Sequence, residues 1–237
     1  MLAKTGRPLT ATEINELLGL PRPTIHRLCQ GLEAEGFLEM SLDRRRYVPG
    51  PRLRTIGMGV MVFSSLAQPR HAILRRLSED IGETCNITIP GIEGMRYLDR
   101  VETRWPLRVQ LQIGDQVPFY CSASGKLYLS TLRKSQRHKL VHAMRLEKRA
   151  PNTITDPEEL LFSLEQIRRE KLGTDNEELV DGMVAIAVPI EDKGRKLLGT
   201  LAVHGPCHRM TLSDVRGHAP LLREAAKELG SVVAESD

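Results

Sequence analysis

The side chains most able to do chemistry here are cations placed where a polyanion would meet them. In the stretch LTATEINELLGLPRPTIHRLCQGLEAEG, residues 9–36, Arg22, Pro23, Thr24, His26 and Arg27 surround the opening turns of a predicted second helix. Polar groups at that place can reach base edges in a major groove. Farther on, Arg44, Arg45 and Arg46 are consecutive. Three adjacent guanidiniums repel one another unless a polyanion neutralises them, and the phosphate backbone of double-stranded DNA does so. A solvated helical hairpin is the plain alternative for residues 9–36, and the arginine run weighs against it.

Two other groupings carry less. His204, Cys207 and His208 spell H-x-x-C-H, but a strand end containing Gly205 and Pro206 matches no regular spacing that places three ligands around one ion. No metal site and no cofactor are expected, and His71, His138, His142 and His218 read as surface. Ser122 to Gly125 approaches the nucleophile elbow G-x-S-x-G, except that Ser122 stands where the first glycine belongs. No catalytic residue is assigned and the chain reads as a non-enzyme. Cys29, Cys85, Cys121 and Cys207 contain no C-x-x-C pair, which argues against a zinc finger or a disulfide framework and fits a reducing cytoplasm. Cys85 and Cys121 are expected in the core.

The elements that must position these groups follow from periodicity. Thr10 and Glu13 form a capping box, Ile14, Leu17 and Leu18 an apolar stripe, and Gly19 a stop. After Pro21 the stripe resumes at Ile25, Leu28 and Leu32. A short strand at Phe37, Leu38 and Met40, a turn from Asp43 and a return at Tyr47 and Val48 put the arginines on a hairpin tip, which makes the helix pair a winged one. Charge agrees: residues 1–55 hold 9 Lys+Arg against 6 Asp+Glu, the remainder 25 against 24. No secretory leader or apolar run of membrane-spanning length is visible, so no membrane partner is expected.

From Arg52 to about Ser65, Leu53, Ile56, Val60 and Phe63 predict a linker helix. Gly57 and Gly59 weaken it by about 1 kcal/mol each, so packing against another chain or domain is needed to hold it. A helix with Ile73, Leu74, Leu77 and Ile81 buried follows. Strands are expected at 85–91, 94–102 and 106–115, helices after Gly125, at 135–144 and at 157–171, strands at 183–190 and 196–205, and one long final helix opened by Ser213 and Asp214. The sum is α+β: residues 1–50 a winged helix-turn-helix, 51–66 a linker helix, and 67–237 a sheet of five or six strands flanked by helices.

PLTATEINELLGLPRPTIHRL, then YVPGPRL, GETCNITI, YLDRVE, ASGK and HGPCHRMT, in that order, resemble the IclR family of bacterial transcription regulators. The resemblance covers nearly the whole chain. It implies a winged helix-turn-helix, a linker helix and a GAF-like domain that binds a small metabolite, acting as a homodimer or dimer of dimers. The opening MLAKTGRP resembles only the last turn of the family's first helix, so that helix is expected to be incomplete.

For the effector site the resemblance implies Ala123 and Ser124 at a helix start whose backbone N–H groups hold an anion, and Asp175 as an acceptor. Asp175 reads equally as a turn residue. Ala185, Ala202 and His204 stand where relatives can carry cysteine or serines, and with Val109 and Val117 they imply a less polar pocket, sized for a larger organic acid, aromatic acids included. His204, with an ordinary pKa of about 6.5, is expected to hold the effector's carboxylate when protonated, so that affinity falls between pH 6 and 8. The implied function is a DNA-binding regulator controlled by a carboxylate effector. The alternative is a stand-alone GAF-like ligand-binding domain or enzyme with a degenerate N-terminus.

Overall fold

The computed structural model describes residues 2–5, 7–16, 18–41, 45–62, 67–103, 105 and 111–234. Arg44, Leu17, Asp43, Phe63 and Val109 lie outside them. The chain divides into two compact units, Met1–Ser64 and Ser65–Asp237.

In the first unit, α1 (Leu2–Thr5) is a single turn, α2 spans Ala11–Asn15 and α3 spans Arg22–Ala34. The expected capping box is present: Glu13 N donates to Thr10 Oγ1 at 3.2 Å, and Thr10 N donates to Glu13 Oε2 at 2.7 Å. Gly19 turns the chain with φ +61, a conformation glycine adopts at no steric cost. Asn15 locks that turn by exchanging hydrogen bonds with both the N–H and the carbonyl of Leu20. Strands β1 (Leu38–Met40) and β2 (Tyr47–Pro49) pair antiparallel, and Leu9 adds a bridge to Tyr47. Helix α4 (Pro51–Val62) follows.

The core of this unit corrects the expected stripe. Ala11, Ile25, Cys29, Leu38 and Tyr47 are buried together, whereas Leu28 is 47% and Leu32 44% exposed. The seam of α3 therefore runs from Ile25 to Cys29, one turn apart, because that face meets α2 and the wing. Leu28 and Leu32 fall outside it.

In the second unit α5 (Ala67–Ile81) buries Ile73, Leu74 and Leu77. Strands β3 (Thr84–Pro90), β4 (Gly94–Val101) and β5 (Gln116–Pro118) come next, then helices α6 (Ala123–Thr131), α7 (Lys134–Ala143) and α8 (Pro157–Glu170). Strands β6 (Gly173–Asn176), β7 (Met183–Glu191) and β8 (Leu197–Pro206) and helices α9 (Leu212–Gly217) and α10 (Ala219–Ala234) complete it. The six strands form one antiparallel sheet in the order β5-β4-β3-β8-β7-β6. The architecture is α+β, a winged helix-turn-helix unit and a GAF-like unit.

Three expectations shift. Of the strand expected at 106–115, residues 106–110 lie outside the described set and 111–115 form a loop; the edge strand is the three-residue β5 just after it. Strand β6 is not among the strands expected from sequence, since GTDN has no apolar alternation to announce it. The final helix is two helices broken at His218, and its cap is Thr211, which accepts from Asp214 N at 3.2 Å, rather than Ser213.

Candidate functional site

On the first unit, Arg22, Pro23, His26 and Arg27 are exposed at the start of α3 and Thr24 is half-buried. No side chain caps α3, whose N-cap is Pro21. Pro23 has no N–H and Thr24 N donates to the Pro21 carbonyl at 2.9 Å, so it is the helix dipole that adds positive potential to the arginines. Arg45 and Arg46 are exposed at the end of the wing turn, where the Arg46 carbonyl accepts from Ser41 N at 2.8 Å.

The second unit holds a cavity over one face of the sheet. Cross-strand register puts Asp175, Ala185 and His204 in one row, with Asp175 opposite Ala185 and Ala185 opposite His204. The neighbouring row contains Asn86, Ala202 and Ala187. The start of α6 forms the opposite wall, and it comes close because β6 has glycine beneath it: a Cβ on Gly173 would stand 2.1 Å from the Ala123 carbonyl oxygen. Ser122 caps α6 by accepting from Gly125 N at 3.1 Å, while its hydroxyl donates to the Pro118 carbonyl at 2.7 Å. Ala123 and Ser124 occupy the first two helical positions, whose N–H groups have no partner inside the helix.

The cavity, about 490 Å³ including its open mouth, is bordered by Ser122, Ala123, Ser124, Asp175, Ala185, Ala202 and His204, with Asn86 and Tyr97. Leu111, Val117, Leu179, Val180, Met183 and Val184 supply an apolar remainder. Thus all the residues inferred for the site that are described, Val117, Ala123, Ser124, Asp175, Ala185, Ala202 and His204, border one space. A few polar groups set in an apolar wall is the make-up of a small-molecule site.

Its electrostatics differ from expectation. His204 Nδ1 lies 3.2 Å from Asn86 Nδ2, and Nε2 lies 3.4 Å from Arg100 Nη2. Enclosure by protein, with the Arg100 guanidinium alongside, pushes the imidazole down to about 3. Desolvation and a neighbouring cation both disfavour the imidazolium, which runs against the expectation of His204 as a protonated anion holder.

Asp175 moves the other way. Burial raises its carboxyl to about 7, helped by the Glu178 carboxylate and opposed by hydrogen bonds from Glu178 N and Leu179 N and by Lys126. Those two N–H groups donate to Oδ1 at 2.8 and 3.3 Å, so Asp175 holds a turn and faces the cavity at once. Behind it, buried Lys126 donates to both carboxylate oxygens of Glu178 at 2.5 and 2.6 Å.

Comparison with known proteins decides the family. Residues 60–231 match the family described as bacterial transcriptional regulator IclR C-terminal, and residues 1–41 match the IclR helix-turn-helix domain. The chain belongs to the IclR family. It is 38% identical over 99% of its length, and 93% of the relative's, to a Cupriavidus necator protein named "Probable transcriptional regulator SauR". Among solved structures, Thermotoga maritima IclR is similar at 27% identity and TM-score 0.67, covering 95% of this chain and 91% of that one. An IclR homolog from Microbacterium hydrocarbonoxydans, complexed with 4-hydroxybenzoate, shares the fold at 23% identity and TM-score 0.65, covering 96% and 92%. As an IclR-family member the chain is a DNA-binding transcription regulator and not an enzyme.

Sequence alone did not point to Asn86 and Ser122 at this cavity, or to Arg100 behind His204. The available signal was polarity in the wrong place: Asn86 stands beside the apolar Ile87 and Ile89, and Arg100 is a buried cation near the end of β4 with a guanidinium 5.7 Å from the Tyr97 ring centre. Such groups need a partner or a ligand. No helix among the described residues is long and apolar enough to cross a membrane.

Proposed function

We propose that this IclR regulator responds to a carboxylate effector bound in the cavity at the start of α6. The observation that carries the reading is the pairing of a helix N-terminus with an otherwise apolar wall. The Ala123 and Ser124 N–H groups would hold the carboxylate, Asn86 and neutral His204 would offer hydrogen bonds, and Val117, Ala185 and Ala202 would pack the effector's body. Val109 is kept as a lining residue on the resemblance alone. A ring-bearing acid suits this apolar lining, and the homolog complexed with 4-hydroxybenzoate supports it through shared fold.

Arg22, Thr24, His26 and Arg27 would read bases, Pro23 would lie against the DNA beside them, and Arg44, Arg45 and Arg46 would bind phosphates. The chain would act in the cytoplasm as a homodimer or dimer of dimers, with residues 1–50 as the DNA-binding part, 51–66 as linker and 67–237 as sensor. Supporting the linker's pairing, Ile56 is 50% and Val60 65% exposed on α4, an apolar edge that a second copy could cover. Effector would act only through different affinity for two arrangements of paired recognition helices.

Calorimetry on the full chain with a panel of aliphatic and aromatic carboxylates tests this. A ligand with affinity that falls on Ser124→Pro or Ala202→Leu, and that alters operator binding, is expected. Carboxylates that bind indifferently to both substitutions would place the effector elsewhere.

A further inference from the structure

Away from the cavity, α7 and the first turn of α8 bring two imidazoles and a carboxylate together. His138 and His142 are four residues apart on α7 and so share a helix face, and Glu158 follows Pro157 at the opening of α8. One ligand atom from each lies within 4.8 Å of the others, and all three side chains are exposed; among the described residues no other His, Cys, Asp or Glu group meets that condition. His142 Nε2 stands 3.2 Å from Glu158 Oε1. That matches the ligand-to-ligand edge of about 3.3 Å that metal bonds of about 2.0–2.1 Å make in a tetrahedron.

The hydrogen bonding around His142 points the same way. Its Nδ1 lies 3.0 Å from the His138 carbonyl oxygen, which can only accept, so Nδ1 carries the proton. A ring N–H given to a backbone carbonyl is the contact that orients metal-bound histidines. It leaves the Nε2 lone pair directed at a carboxylate. Two lone-pair atoms at that distance repel unless a cation, proton or metal ion, joins them. The His138 ring stacks on His142 with centroids 4.2 Å apart and planes 18° from parallel, so a second imidazole donor stands beside the same point.

The frame is held independently of any ion. Buried Arg137, next to His138, donates to the Ser130 carbonyl at 3.1 Å and pairs with Glu165 of α8. Asp156 caps α8, accepting from Glu159 N at 2.8 Å. The ligands therefore need only side-chain rotation to converge.

We propose that His138, His142 and Glu158 form a surface site for a late first-row divalent transition ion, Zn2+ foremost, with water completing the coordination. Two imidazoles and one carboxylate suit zinc, nickel or copper rather than the all-oxygen preferences of magnesium and calcium. The ion would cross-link α7 to the start of α8 and stabilise the second unit by mass action.

The test uses the full chain without an affinity tag, stripped with chelator, then titrated with Zn2+ by calorimetry and by competition with a chromogenic chelator. One ion per chain is expected at this site, with affinity falling about ten-fold or more in His138→Ala and His142→Ala and less in Glu158→Gln. The metal-free melting temperature should be unchanged in these surface variants, and the Zn2+-induced rise should vanish. Cys207, a partly exposed thiol, is the control: Cys207→Ser must keep the ion, and the Co2+ adduct must lack a thiolate charge-transfer band. No binding by the wild type, affinity indifferent to both histidines, or an ion that follows Cys207 would overturn the site.

Discussion

Arg100 Nη2 stands 3.4 Å from His204 Nε2, the two side chains reaching past β3 from strands on either side of it. This juxtaposition adds to the effect of desolvation on His204. Desolvation first and the Arg100 guanidinium second disfavour the imidazolium of His204, so the group that titrates near neutrality at this cavity is Asp175.

Carboxylate affinity should therefore fall as pH rises from 6 to 8, since ionised Asp175 repels an anion at α6. With a carboxyl at about 7, the loss should be about ten-fold over that range if only the protonated form binds. His204→Ala should keep this dependence and Asp175→Asn should abolish it. Calorimetry across the range decides, and a pH dependence that disappears with His204 would restore the histidine to the role.

The same carboxyl affects stability. Its folded value, about 7, exceeds the ordinary 3.8, so between those pH values the folded chain holds a proton that the unfolded chain has released. Stability is thus lost as pH rises through that window and stays low above it. Asp175→Asn, which retains an oxygen to accept from Glu178 N and Leu179 N, should melt higher than wild type at pH 8, with the gain shrinking at pH 5. Equal gains at both pH values would contradict the assignment.

Lys126 and Glu178 test the support behind the cavity. Both are buried, and removing one partner strands the other's charge. Lys126→Met should cost about 3–5 kcal/mol in urea unfolding, whereas the paired Lys126→Met, Glu178→Leu change should recover a large part of it. Additive losses would mean the two do not act as a pair.

On the first unit, replacing Arg44, Arg45 and Arg46 with Ala should weaken binding to every duplex and reduce the log-log salt slope by about 0.9 per lost phosphate contact. An unchanged slope would remove the wing from the DNA contact.

Arg27→Ala should cost about 1–3 kcal/mol on the operator and far less on random duplex if it reads a base edge. Equal losses on both, measured by anisotropy at fixed salt, would make it a positioning contact.

Local chemistry was legible without coordinates. Thr10 with Glu13, Asp156 with Pro157 and the near-continuous apolar runs of β7 and β8 state their structures through caps and periodicity, which depend on neighbours a few residues away. The order of motifs was enough to place the chain among IclR regulators. What required tertiary structure depends on distant residues: that α3 is buried along Ile25 and Cys29 rather than Leu28 and Leu32, because α2 and the wing choose the face; that the polar GTDN segment pairs as β6, because β7 offers it an edge. Only the fold sets Arg100 against His204 across 104 positions and buries Asp175, and a pKa is decided by burial and neighbouring charge, quantities that no linear spacing encodes.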